Sequence, residues 1–164
     1  MKKISRRVAL AGMIGALYAA LTLLQNALFP GSASADIQFR VAEAMMMLCL
    51  FSPTAIAGLT IGCAVANISS GMPWDIVVGP VATLLAGLMI YATRKITFKG
   101  FPFLSLIFPA VCNGVIVGLE LTLYFKTPLL LNMAYVALGE VVVSSILGIP
   151  FFYQCKKIDI QKYF

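Results

Sequence analysis

Apolar and polar positions fall in blocks along this chain rather than alternating residue by residue. Six apolar runs occupy about 8–29, 37–51, 54–70, 74–93, 101–125 and 129–153. Turn-forming or basic clusters separate most of them: Pro30-Gly31, Ser52-Pro53, Ser69-Ser70-Gly71-Met72-Pro73, Arg94-Lys95 and Lys126-Thr127-Pro128. Pro, Gly and Ser at these points mark breaks in regular structure. Runs that are apolar on every face predict helices, because a membrane barrel shows period-two alternation instead. The second run is the shortest and carries Met45-Met46-Met47, which reads as lipid-facing or packing residues rather than a cofactor box. No internal repeat or low-complexity segment is visible.

Composition turns these helices into membrane spans. Of 164 residues, 61% are hydrophobic and 11% charged, with a mean hydropathy of +0.98. A soluble domain carries about 25% charged residues, so this chain could not cover its surface in water. Each span takes about 20 residues, so six of them fill residues 1–164 as one integral membrane domain. A soluble catalytic or nucleotide-binding domain has no room. The chain has no histidine, and Cys49, Cys63, Cys112 and Cys155 are far apart, so no metal, disulfide or cofactor is expected.

The net charge of +6 is read as positive-inside bias rather than a nucleic-acid footprint. Four basic residues precede the first run, Arg94, Lys95 and Lys99 separate the fourth and fifth, and Lys156, Lys157 and Lys162 lie in the tail. Six spans place all of these on one side, which predicts that both termini are cytoplasmic. Only Arg40 and Lys126 fall toward the other side. The basic start, the apolar run and Ala33-Ser34-Ala35 before Asp36 imitate a cleavable signal. A signal's apolar region is about 7–15 residues, however, so this longer run is read as a retained first span.

Polar residues inside the runs carry the functional information, since a charge at mid-bilayer costs ~2.5–3.5 kcal/mol or more. Arg40, Glu43, Asn67, Asp75, Asn113, Glu120 and Glu140 come from five runs and all fall toward the outer half. The inner half is almost wholly apolar, which predicts a cup open to the outside rather than a pore. Blander roles stay open for several. Arg40 and Glu43, three apart, could pair with each other. Asp75 could cap its helix, and Asn113 could make an interhelical hydrogen bond. Asn67-Ile68-Ser69 also matches a glycosylation acceptor. Glu120 and Glu140 have no cation nearby in sequence and are read as binding residues.

Several segments carry a family likeness: Ile37-Gln38-Phe39-Arg40-Val41-Ala42-Glu43-Ala44, Trp74-Asp75-Ile76-Val77, Ala82-Thr83-Leu84-Leu85-Ala86, Asn113 to Leu121, and Leu138-Gly139-Glu140-Val141-Val142. In this order, and over essentially the whole chain, they resemble the QueT family. The Met-rich second run and the turn around Gly71 depart from the family pattern. The resemblance implies a six-helix S component, the substrate-binding subunit of an energy-coupling factor (ECF) importer for a queuosine precursor. It implies a transmembrane coupling subunit and two ATPases as partners, and an S component that topples in the lipid membrane to release substrate.

The implied ligand class is a 7-deazaguanine: 7-cyano- or 7-aminomethyl-7-deazaguanine, queuine or queuosine. A carboxylate can accept its ring N–H and exocyclic amine together, and an Asn or Arg can donate to its carbonyl. Trp74 could stack on the ring. On the first run, Ala11, Gly15 and Ala19, and likewise Gly12, Ala16 and Ala20, recur every four residues. Such stripes let helices approach closely. In S components a stripe of this kind docks the coupling subunit, and packing within the chain is the alternative. An S component for another heterocycle or vitamin is the second reading. An intramembrane enzyme would have to rest on Glu120 and Glu140 alone, and the apolar inner half argues against a channel.

Overall fold

The computed structural model describes residues 2–30, 38–70 and 72–164. The signal-like Ala33-Ser34-Ala35-Asp36, the expected start of the second run at Ile37, and Gly71 lie outside them. The described residues are helical throughout, apart from turns and one isolated bridge between Phe98 and Phe101. Helix α1 covers Lys2–Leu28, α2 Pro53–Asn67, α3 Asp75–Thr93, α4 Leu104–Phe125, α5 Leu129–Val143 and α6 Ile149–Lys157. A single π-turn, Ser144–Gly148, joins α5 to α6, and a last 3-10 turn spans Ile160–Tyr163.

Four helices are long and apolar enough to cross a membrane: Lys3–Leu28, Asp75–Thr93, Leu104–Phe125 and the continuous Leu129–Lys157. The third apolar run gives the shorter α2. Its start is fixed by Ser52, whose hydroxyl accepts the Thr54 N–H at 3.1 Å ahead of Pro53 in the first turn.

The second run corrects the sequence reading. Instead of a span over 37–51 it forms a ten-residue 3-10 helix, Val41–Leu50, with nine of the ten residues buried. At a rise of ~2.0 Å per residue it extends ~20 Å, less than the ~30 Å hydrocarbon core. It touches all six α-helices. Met46, Met47 and Cys49 are fully buried in the main core, so the methionines are packing residues, and their flexible thioethers suit so central a place.

Glycines bring α1 and α2 together. A Cβ on Gly15 would lie 2.8 Å from the Gly58 carbonyl oxygen, and one on Gly62 2.6 Å from the Gly15 carbonyl oxygen. The stripe Ala11–Gly15–Ala19 therefore faces α2 inside the chain. The stripe Gly12–Ala16–Ala20 is exposed, and nothing lies within 4 Å of a Cβ built on Gly12.

The ends of the bundle differ in charge. Arg6 donates to the Lys162 carbonyl at 3.1 Å, so the two chain ends meet. The Arg94 guanidinium sits 3.8 Å from the Tyr91 ring at the α3 C-terminus, where the connection carrying Lys95 and Lys99 begins. At the opposite end lie the α2–α3 turn, the α4–α5 link and the segment 38–40.

Candidate functional site

Five charged side chains are buried among the described residues: Arg40, Glu43, Asp75, Glu120 and Glu140. They arrive from five elements. Arg40 ends the extended segment leading into the 3-10 helix, and Glu43 lies in that helix's first turn. Asp75 opens α3, Glu120 lies near the end of α4, and Glu140 is in α5. One guanidinium thus stands among four carboxyl groups.

Arg40 pairs with Asp75, not with its sequence neighbour Glu43: Nη2 lies 3.9 Å from Asp75 Oδ1. Asp75 does not cap α3, whose first turn has no side-chain cap bond. Asn67 donates instead to the Asp75 carbonyl at 2.8 Å and ties the end of α2 to the start of α3. It is buried at 7% exposure, which disfavours the glycosylation reading.

Glu43 accepts a hydrogen bond from the Tyr18 hydroxyl of α1 at 2.5 Å. Asn113 donates to Glu140 Oε1 at 2.8 Å across α4 and α5, the interhelical bond that its sequence position allowed. The Arg40–Asp75 pair, the Tyr18–Glu43 bond and the Asn113–Glu140 bond thus hold buried charged groups across α1, the 3-10 helix, α3, α4 and α5.

These buried groups are under-satisfied. Among the described residues, Glu43 Oε2, Glu140 Oε2, Asn113 Oδ1 and both Glu120 oxygens are buried without a hydrogen-bond partner, as are both amide atoms of Gln38 in the segment leading to the 3-10 helix. Native interiors leave only a few such atoms, since each costs ~1–3 kcal/mol.

Glu120 also borders a cavity of about 580 Å³ between α3 and α4, with Trp74, Val78, Leu119 and Tyr124 in its walls. Pockets of ~300–1,000 Å³ hold small organic ligands. Trp74 is 70% exposed, so it stands at the rim of this cavity rather than inside the polar cluster. Among the described residues no three Cys, Asp or Glu side chains are placed to hold a metal.

Sequence reasoning overlooked three residues. Tyr18, Gln25 and Gln38 are all buried, and each touches or belongs to the cluster's supports. Their signal was the same as for the charges, a hydrogen-bonding group within an apolar stretch.

Comparison with known proteins follows from the whole chain. The profile of the family described as QueT transporter matches residues 8–157. A relative from Lactococcus lactis subsp. cremoris (strain MG1363), named queuosine precursor transporter QueT, is 30% identical over 141 residues. These cover 78% of this chain and 79% of the relative. No solved structure matches the chain.

Proposed function

This chain belongs to the QueT transporter family, a multi-pass membrane transporter family, and from that premise we propose that it is the substrate-binding S component of an ECF importer for an amine-bearing 7-deazaguanine. The observation that carries the reading is Glu120. Both its oxygens are buried without a partner among the described residues, beside a cavity of about 580 Å³ rimmed by Trp74. A carboxylate so placed accepts the ring N–H and exocyclic amine of a guanine-like base as a two-point contact.

Charge selects among the precursors. Four buried carboxyl groups accompany one buried guanidinium, and a ligand cation placed beside a buried carboxyl favours its charged form and pairs with it. An aminomethyl substituent brings an ammonium, whereas a cyano group brings none. Arg40, Glu43, Asn67, Asp75, Asn113 and Glu140 form the polar floor of the site, with Trp74 at the entrance.

Transport energy comes from partners in this reading. The sequence contains no G-x-x-x-x-G-K-[ST] phosphate loop, and a coupling subunit with two ATPases supplies the cycle. The outward stripe Gly12–Ala16–Ala20 docks the coupling subunit, while Ala11–Gly15–Ala19 is used within the chain. All six apolar runs contribute to the membrane domain, with both termini cytoplasmic and the polar cluster facing outward.

The test is to purify the chain from cells supplied with deazaguanines and identify the bound mass. Calorimetry then compares the 7-aminomethyl and 7-cyano bases, with the first expected to bind at least ~10-fold more tightly, the equivalent of ~1.4 kcal/mol. A bound vitamin or unrelated heterocycle would replace this reading with that of an S component for another ligand.

A further inference from the structure

We propose that Gln38 contacts the ligand and reads the N3/N9–H edge of the base, selecting free base over nucleoside, with Gln25 as its positioning residue; this rests on the deazaguanine reading above. Gln38 is 2% exposed, and neither its Oε1 nor its Nε2 has a hydrogen-bond partner among the described residues. A buried amide with both ends unpartnered is costly, and nothing in the packing offsets that cost. A ligand that offers one acceptor beside one donor does.

The segment that bears Gln38 is held from two sides. The Gln25 side chain of α1 donates to the Phe39 carbonyl and accepts the Val41 N–H at 2.9 Å. This two-point clip on main-chain groups two residues apart copies the pairing of one strand with another. On the far side, the Gln38 backbone lies against Gly139, where any Cβ would overlap its carbonyl oxygen. The next residue in α5 is Glu140. Gln25 and Gly139 thus hold the Gln38 backbone between α1 and α5, against the residue that precedes Glu140.

The chemistry of an amide then limits what it can read. It offers one carbonyl acceptor and one NH₂ donor, side by side. A 7-deazaguanine has two edges of adjacent acceptor and donor: the C6 carbonyl with N1–H, and N3 with N9–H. A carboxylate that takes N1–H and the 2-amino group leaves only the second. Gln38 Nε2 then donates to N3, and Oε1 accepts N9–H. A substituent at N9 removes that donor and puts bulk where the amide lies.

The experiment uses the purified full-length chain and calorimetry with 7-aminomethyl-7-deazaguanine and its N9-methyl derivative. Wild type is expected to prefer the free base. Gln38→Leu is expected to weaken free-base binding ~10- to 100-fold, abolish the preference, and keep or raise the thermal midpoint, because it removes an unpartnered amide. Gln25→Ala is expected to reduce the same preference by loosening the segment, and Gln38→Glu to retain part of it through the N9–H contact. A Gln38→Leu chain that keeps both affinity and preference overturns the assignment, as does one that loses both ligands equally. Wild type that binds neither compound overturns the deazaguanine reading and this inference together. Normal wild-type binding with an indifferent Gln38→Leu overturns this inference alone.

Discussion

The Tyr18 hydroxyl on α1 donates to Glu43 Oε1 at 2.5 Å, while Oε2 of the same carboxyl is buried without a partner among the described residues. One oxygen of the group is therefore held by the fold and the other is not. The same division recurs at Glu140, where Asn113 takes one oxygen and the second has no partner among the described residues. Each of these carboxyl groups is thus oriented by one hydrogen bond within the fold.

Removing the support should therefore cost stability first. Tyr18→Phe deletes the donor and leaves Glu43 with two unpartnered oxygens in a buried 3-10 helix. A loss of ~1–3 kcal/mol is expected, measured as a lower thermal midpoint of the purified chain without ligand. An unchanged midpoint would show that the bond contributes nothing to the fold.

The unsupported carboxyl should behave in the opposite way. Glu120 has no hydrogen-bond partner among the described residues, so Glu120→Gln should leave the fold intact. Replacing a charge-assisted two-acceptor contact by one acceptor and one donor is expected to cost the ligand ~1.5–3 kcal/mol, roughly 10- to 150-fold in affinity. Glu140→Gln should show a similar binding loss together with a change in midpoint, since Asn113 leans on it. Wild-type affinity in both variants would remove these carboxyl groups from recognition.

The two small-residue stripes of α1 should separate cleanly. Gly15→Leu drives a side chain into the Gly58 carbonyl oxygen, so the α1–α2 contact and the folded yield should both be lost. Ala16→Leu adds the same bulk on an exposed face and should leave folding and ligand binding unchanged. Co-purification of the coupling subunit and ATPases, and uptake in cells, should fail for Ala16→Leu. Retained partners in that variant would mean that the exposed stripe is not the docking face.

Orientation has a direct chemical test. The four native cysteines are all buried, so an impermeant thiol reagent should find little background. Thr97→Cys places an exposed thiol in the basic connection between α3 and α4. It should be protected in intact cells and label after lysis. Labelling in intact cells would invert the topology and turn the polar cluster toward the cytoplasm.

Much of this protein is decided by one-dimensional facts. A chain with 61% hydrophobic and 11% charged residues must place its surface in lipid, and within lipid its backbone groups must be satisfied inside helices. Arg40, Glu43, Asp75, Glu120 and Glu140 stood out because so few charges interrupt the runs, and the structure buries all five. The sequence could not assign their partners. Spacing put Arg40 beside Glu43, yet Arg40 pairs with Asp75 from another helix, because pairing depends on how helices cross and not on separation along the chain. Nor could it tell which stripe of α1 was free, since Gly15 and Gly12 differ only in which side α2 approaches. The second run was the deepest surprise. Its apolar residues read as either lipid-facing or packing within a span, because lipid and protein interior are equally apolar and hydropathy alone cannot distinguish a helix facing the bilayer from one surrounded by six others. Only tertiary packing decides that, because only packing determines which apolar surface is already covered.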